Sequence, residues 1–306
     1  MSEKRRTAGK SRVMNLPKNA ILFFFVLGAM FVTLFPIYWI ATTGFKNPID
    51  VLTYPPSIVP FINFIPTLDN WRRDIIPQAS PGTELALAAH GGTEIQYALL
   101  HSLIISSGAT LFSVIIGSFA GYALARFQFK RWKNEDMAFF VLSQRFLPAA
   151  AIVIPYFIMF KNLGLLDTYP TMILVDGAMT LPFSVWMMRE YFLEVPKEIE
   201  ESALIDGCSI FATFRRIVLP LSMPGLVSTA VFCFIFAWNE FLMALFLTFS
   251  NANPITLTIA GMTHSGAPLW WDISALGTIT IIPPVALALL VQRYIVRGLS
   301  LGAVKG

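Results

Sequence analysis

The sequence has 306 residues, of which 56% are hydrophobic and only 13% charged, with a mean hydropathy of +0.66. Soluble domains carry roughly 25% charged residues, so a globule of this composition would lack the polar side chains to cover its surface. The net charge of +4 sits in a few basic clusters beside apolar stretches. Disordered chain, coiled coil, collagen and nucleic-acid binder are excluded by the same numbers, which leaves an all-α integral membrane protein.

In chain order, residues 1–19 form a basic segment (Lys4, Arg5, Arg6, Lys10, Arg12, Lys18) that resembles the start of a signal peptide. The apolar stretch after it is too long and too aromatic for a signal core, and no small-residue cleavage site follows. It is therefore expected to remain as a span. A bilayer-crossing helix needs about 20 mostly apolar residues. Six stretches of 20–306 meet this: 20–41, 97–125, 137–160, 169–188, 224–247 and 273–296. Together they predict one transmembrane domain.

The basic residues set the orientation. Seventeen of the 22 Lys and Arg fall on one side: the six above, then Arg126, Lys130, Arg131, Lys133, Arg189, Lys197, Arg215, Arg216, Arg293, Arg297 and Lys305. Four (Lys46, Arg72, Arg73, Lys161) fall on the other, and Arg145 lies within a span. The expectation is both termini in the cytoplasm. The outer loop 42–96 is rich in proline and glycine and reads as irregular with short helices or strands, with Tyr54 and Trp71 at headgroup level. The outer loop 248–272 has no Lys or Arg.

Several spans contain proline: Pro36, Pro148, Pro155, Pro182, Pro283 and Pro284. The carbonyls that proline frees need other partners in hydrocarbon, which fits either ordinary bundle kinks or an aqueous cavity. Gly117 and Gly121 have the spacing that lets two helix backbones approach closely. Arg145 beside Gln144, Asp176, Asn239 and Glu240 are polar groups inside spans, where a charge costs about 2.5–3.5 kcal/mol. Two readings stay open for them: an ion pair of Arg145 with Asp176 or Glu240, and the polar wall of a solute path. Trp238, Asn239 and Glu240 also offer the stacking and hydrogen bonds that sugars require. Cys208 and Cys233 are not expected to pair, and His90, His101 and His264 have no metal-ligand spacing.

Residues 189–223 are the most informative stretch. Pro196 suits the start of a short helix over 197–206, with Glu198, Glu200 and Glu201 in its early turns. Gly207 suits the left-handed position that ends it. A second helix is expected from Ser209 to about Leu219, stopped by Pro220. Two ordered cytoplasmic helices at a glycine elbow fit a docking surface for a soluble partner, or an amphipathic hairpin lying on lipid.

The residues here carry a resemblance. Glu201-Ser202-Ala203, then Asp206-Gly207, nine residues, and Ile217-Val218-Leu219-Pro220 look like the EAA loop of importer-type ABC transporter permeases. Ser202 is the one departure, standing where alanine is usual. Gly164-Leu165-Leu166-Asp167-Thr168-Tyr169, Trp238-Asn239-Glu240-Phe241, Gln292-Arg293-Tyr294 and Gly302-Ala303-Val304-Lys305-Gly306 resemble the carbohydrate-importing, maltose-type subgroup, in particular its six-span partner. The likeness covers roughly 20–45 and 97–306.

It implies a type I importer permease of the bacterial cytoplasmic (inner) membrane, paired with a second permease subunit. Two ATPase subunits hold ATP and Mg below the pair, and an extracytoplasmic solute-binding protein delivers carbohydrate. The chain itself has no GxxxxGK[ST] phosphate cradle, so no cofactor is expected in it, nor enzyme activity. Carried over onto this sequence, Glu201, Ser202, Ala203, Asp206, Gly207, Ile217, Leu219 and Pro220 would couple it to an ATPase. A secondary transporter using Arg145, Asp176 and Glu240 is the alternative. It would show an inverted repeat, and none is visible.

Overall fold

A computed structural model describes residues 16–75, 92–263 and 268–302. The basic segment up to residue 15, the end of the outer loop with His90, the segment with His264, and the last four residues lie outside the described residues. The described chain is helical, apart from one isolated bridge between Pro60 and Phe64.

Two compact units are formed. The first comprises the chain up to Trp71 together with Trp270–Thr278. It contains α1 (Leu16–Thr43), the short α2 (Pro48–Leu52) and the start of α3 (Asp69–Ile75). Side chains of α1 such as Phe24, Phe25 and Phe31 are exposed in the isolated chain, as suits a helix surrounded by hydrocarbon. Beyond α1 the outer segment folds around Lys46, which is only 2% exposed. Its ammonium lies 4.2 Å from the Trp39 ring centre and 5.3 Å from that of Phe64, a cation–π cage. Burial pushes the Lys46 pKa below the ordinary lysine range, against the pull of nearby Asp50. Asn70 Nδ2 donates to the Gly44 and Lys46 carbonyls at 2.9 Å each. Trp71 packs on Phe45 at 4.9 Å between ring centres.

The second unit holds α4 (Gly92–Arg126), α5 (Asn134–Ser143), α6 (Ala149–Asn162) and α7 (Tyr169–Glu194). After these come α8 (Lys197–Ile205), α9 (Ile210–Thr213), a π turn (Phe214–Val218) and α10 (Leu219–Leu221). The chain continues in α11 (Met223–Trp238), α12 (Leu242–Leu247), α13 (Ile255–Gly261) and the rest of α14 (Trp270–Gly302). The most extensive contact is α4 on α7, and α11 packs against both. Gly117 and Gly121 make that approach possible, because a Cβ on Gly121 would sit 2.8 Å from the Arg189 backbone nitrogen and one on Gly117 would strike Ser184. Ser113 Oγ adds a buried hydrogen bond to the Gly177 carbonyl, 2.6 Å. A core of Ile105, Val153, Phe160, Met172, Met243 and Leu247 ties α4, α6, α7 and α12 together.

Four helices are long and apolar enough to cross a membrane: Ala20–Thr43, Ile95–Arg126, Tyr169–Glu194 and Trp270–Gln292. The count rises to six if each of two bent pairs is one span. The stretch 137–160, expected as a single helix, is α5 and α6 meeting at 87°. Pro148 lacks an N–H and holds Leu147 extended (φ −66°, ψ 126°), so the helix cannot continue through it. The stretch 224–247 breaks after Trp238, for reasons that lie in Asn239 and Glu240. Helix α7 runs six residues past the expected boundary at 188, to Glu194, and Pro196 stops it by holding Val195 extended.

Candidate functional site

Helix α8 starts directly after Pro196, the cap residue, and ends at Ile205, with Asp206 as its C-cap. Gly207 has φ +87°, the left-handed elbow expected from the sequence. Its N–H donates to the Leu204 carbonyl at 3.1 Å and that of Cys208 reaches the Ala203 carbonyl at 3.0 Å, so the last carbonyls of α8 are satisfied. Ser209 then caps α9 by accepting from the Ala212 N–H, 3.2 Å. The second helical stretch continues past Pro220 to Leu221 rather than stopping there. A π turn absorbs the proline: the Leu219 N–H donates to the Phe214 carbonyl, five residues back.

Glu201, Ser202, Asp206, Gly207 and Pro220 are exposed, Ile217 and Leu219 half-buried, and Ala203 buried. Ile205, 86% exposed, and Phe211 stand beside them. The surface is therefore ordered, acidic and apolar at once, with nothing of this chain covering it.

Glu200 points the other way and is 6% exposed. Its Oε1 accepts from Arg126 Nε at 2.6 Å, with Arg126 Nη2 also at 2.6 Å, and its Oε2 accepts from the Tyr122 hydroxyl at 2.8 Å. Arg126 Nη2 further donates to the Val195 carbonyl, 2.8 Å. Tyr122 and Arg126 are one turn apart at the end of α4, so the first turn of α8 is gripped by the last turn of α4. A cleft of about 210 Å³ lies between them, lined by Tyr122, Arg126, Glu200, Glu201, Leu204 and Ile210 among others. Sequence reading missed this pair. The signal available was that Glu200 and Ala203, three apart, share the face of α8 opposite Glu201.

The intramembrane groups are not joined as an ion pair. Arg145 sits in the short turn between α5 and α6, donates from Nη1 to the Met179 carbonyl at 2.8 Å and lies over the Phe236 ring at 4.4 Å. Both Asp176 oxygens are buried without a hydrogen-bond partner. The Glu240 carboxylate accepts from the Met243 and Ala244 N–H groups at 2.8 and 3.0 Å, capping α12. Asn239 Nδ2 turns back to the Ile235 carbonyl, 2.7 Å, and Trp238 Nε1 donates to the Thr280 carbonyl, 3.1 Å. These bonds satisfy the ends that the break in the expected span exposes, which is why the helix can stop there. Of the five, Asn239 is exposed and Arg145 half-buried, whereas Asp176 and Trp238 are buried.

A second anchor lies on the opposite face. Asp167 (φ +60°) accepts from the backbone N–H groups of Phe249, Ser250, Asn251 and Ala252 at 2.9–3.2 Å. Burial raises its pKa, but these four donors outweigh it and hold the carboxyl below the usual range. Among the described residues no group of three or more His, Cys, Asp or Glu is placed to hold a metal ion, and both cysteines are free.

Residues 113–301 match the family described as binding-protein-dependent transport system inner membrane component. The trehalose/maltose transport system permease protein MalG of Thermococcus litoralis is 34% identical over 287 residues, 92% of this chain and 96% of that one. The diacetylchitobiose uptake system permease protein DasC of Streptomyces coelicolor is 33% identical, covering 89% of this chain and 92% of that protein. A solved bacterial ABC transporter involved in the import of the acidic polysaccharide alginate has the same fold (TM-score 0.71, 18% identity, 94% of this chain and 99% of that one). An all-helical fold shared with an importer subunit, a loop with the EAA spacing and a match over most of the chain agree, and the chain belongs to the family of binding-protein-dependent transport system inner membrane components.

Proposed function

We propose that this chain is one of two permease subunits of an ATP-driven carbohydrate importer in the bacterial cytoplasmic membrane, with both termini inside. The observation that carries the reading is the ordered, exposed α8–elbow–α9 surface with Glu201, Ser202, Asp206 and Gly207 at its tip. It seats on one of two ATPase subunits, which bind ATP and Mg, and a solute-binding protein delivers the sugar from outside. The carbohydrate class is supported by the relatives, whose names are those of trehalose/maltose and diacetylchitobiose systems. Arg145 and Asn239 are the intramembrane groups open enough to meet a solute, while Asp176, Trp238 and Glu240 hold the helices that frame the path. Energy enters as a biased equilibrium between inward- and outward-facing states. The secondary-transporter alternative is set aside by the family match.

The test is gentle affinity purification of tagged protein from its native membrane. A second permease and ATPase subunits co-eluting with it are the expected result. Gly207→Val should leave the amount of membrane-inserted protein unchanged and lower ATPase recovery. Forcing a β-branched residue to positive φ costs about 1–2 kcal/mol, roughly a five- to thirtyfold loss in docking. Recovery of the chain alone, in a state that still transports, would sink the proposal.

A further inference from the structure

The loop has two routes into the membrane-embedded helices. The covalent route runs through the π turn and α10 into α11, and the helices along it meet at 78° between Leu221 and Met223. A helix interrupted in this way transmits displacement poorly along its axis. The second route is Arg126, Tyr122 and Glu200. Here α8 is held by charge-assisted hydrogen bonds at 2.6 Å and 2.8 Å, and the same guanidinium holds the Val195 carbonyl before the helix begins. Both charged side chains are 8% exposed. Sliding α8 relative to α4 would separate the charges where water cannot replace the lost bonds, so the contact moves as one piece. Helix α4 then continues unbroken for 35 residues, about 50 Å at 1.5 Å per residue, across the apolar layer.

We infer that the Arg126–Glu200–Tyr122 cluster is the positioning element that makes α8 move with α4, so that displacement imposed at the docking face travels outward along α4 and not through the chain connection into α11. The inference rests on the proposed docking of α8 to an ATPase and adds the path by which that docking acts. Glu201 faces the partner and its neighbour Glu200 faces inward, which divides seating and transmission between two adjacent carboxylates.

The experiment uses the co-purified transporter in lipid nanodiscs, with Cys208 and Cys233 replaced and spin labels introduced in pairs. One pair, Lys197→Cys with Leu111→Cys, spans α8 to α4; the other, Lys197→Cys with Phe232→Cys, spans α8 to α11. ATP, magnesium and vanadate are added to trap ADP in the ATPase subunits. The expected result is an α8–α4 distance unchanged by trapping and an α8–α11 distance that shifts. Arg126→Ala should still trap ADP, yet its α8–α4 distance should broaden and shift, and Tyr122→Phe should show the same effect more weakly. Should Arg126→Ala fail to assemble, Tyr122→Phe, which removes one hydrogen bond and no charge, decides. A wild-type α8–α4 distance that changes on trapping, or a Tyr122→Phe distance as narrow as the wild type's, overturns the inference. Absence of ATPase subunits from the preparation speaks against the proposed function instead.

Discussion

Replacing Gly121 with leucine is expected to reduce the folded protein recovered from membranes to a small fraction of the wild-type amount. At this position the nearest neighbours are backbone atoms of α7: the Arg189 nitrogen at 2.8 Å and the Val185 carbonyl at 3.0 Å from where a Cβ would lie. A backbone cannot swing aside as a side chain does, so α4 and α7 must move apart. Overpacking of this kind costs typically 1–3 kcal/mol, and separation also breaks the Ser113 bond to the Gly177 carbonyl. Gly28 is the internal control, since nothing of this chain lies within 4 Å of its would-be Cβ. Gly28→Leu should leave the yield and the melting temperature of the detergent-solubilised protein near those of the wild type, as read by fluorescence-detected size exclusion after heating. Equal losses in both variants would show that the α4–α7 approach is not what limits the fold.

The Asp167 carboxylate supports the second large effect. Asp167→Ala removes the common acceptor of four N–H groups in residues 249–252. Hydrogen bonds to a charged group are worth about 1.5–3 kcal/mol each. Water takes over part of that role at this half-exposed site, so a net loss of about 2 kcal/mol in local stability is expected. Amide hydrogen exchange over 248–253 should accelerate by one to two orders of magnitude, whereas exchange in α7 should hold. The pH dependence has a definite sign. Because the folded pKa is lowered, the stabilisation is present above the ordinary carboxyl value of about 3.9. It fades as pH falls through the lowered folded value. Exchange in 248–253 should therefore be insensitive to Asp167 ionisation at neutral pH and rise only in strong acid.

Much of this was legible from residue order. The EAA spacing located the docking surface, and Gly207 adopts the positive φ that a helix-ending glycine was expected to have. The Gly117 and Gly121 spacing announced a close helix contact, and α7 is the partner that fills it. What escaped is what depends on direction. Glu200 and Glu201 are indistinguishable as letters, yet one is buried against Arg126 and the other faces out. Arg145 had charged candidates within reach in sequence terms, but its bend after α5 turns it to a carbonyl and a ring. The break at 239–241 escaped because Glu240 supplies the cap from inside an apolar run that reads as continuous. Asp167 was noticed only as part of a resemblance, since its four donors lie more than 80 residues away.

That break makes a joint at membrane depth. An unbroken helix tilts as a rod, whereas α11 and α12 are two short levers. Each loose end is satisfied within its own lever: Asn239 returns to Ile235 in α11, and Glu240 closes on Met243 and Ala244 in α12. No hydrogen bond need be exchanged across the joint when its angle changes, so flexing there requires no polar group to be exposed to lipid. With α12 packed on α6 and α11 on α4, a rocking of α4 can reorient α11 while the outer lever keeps its place.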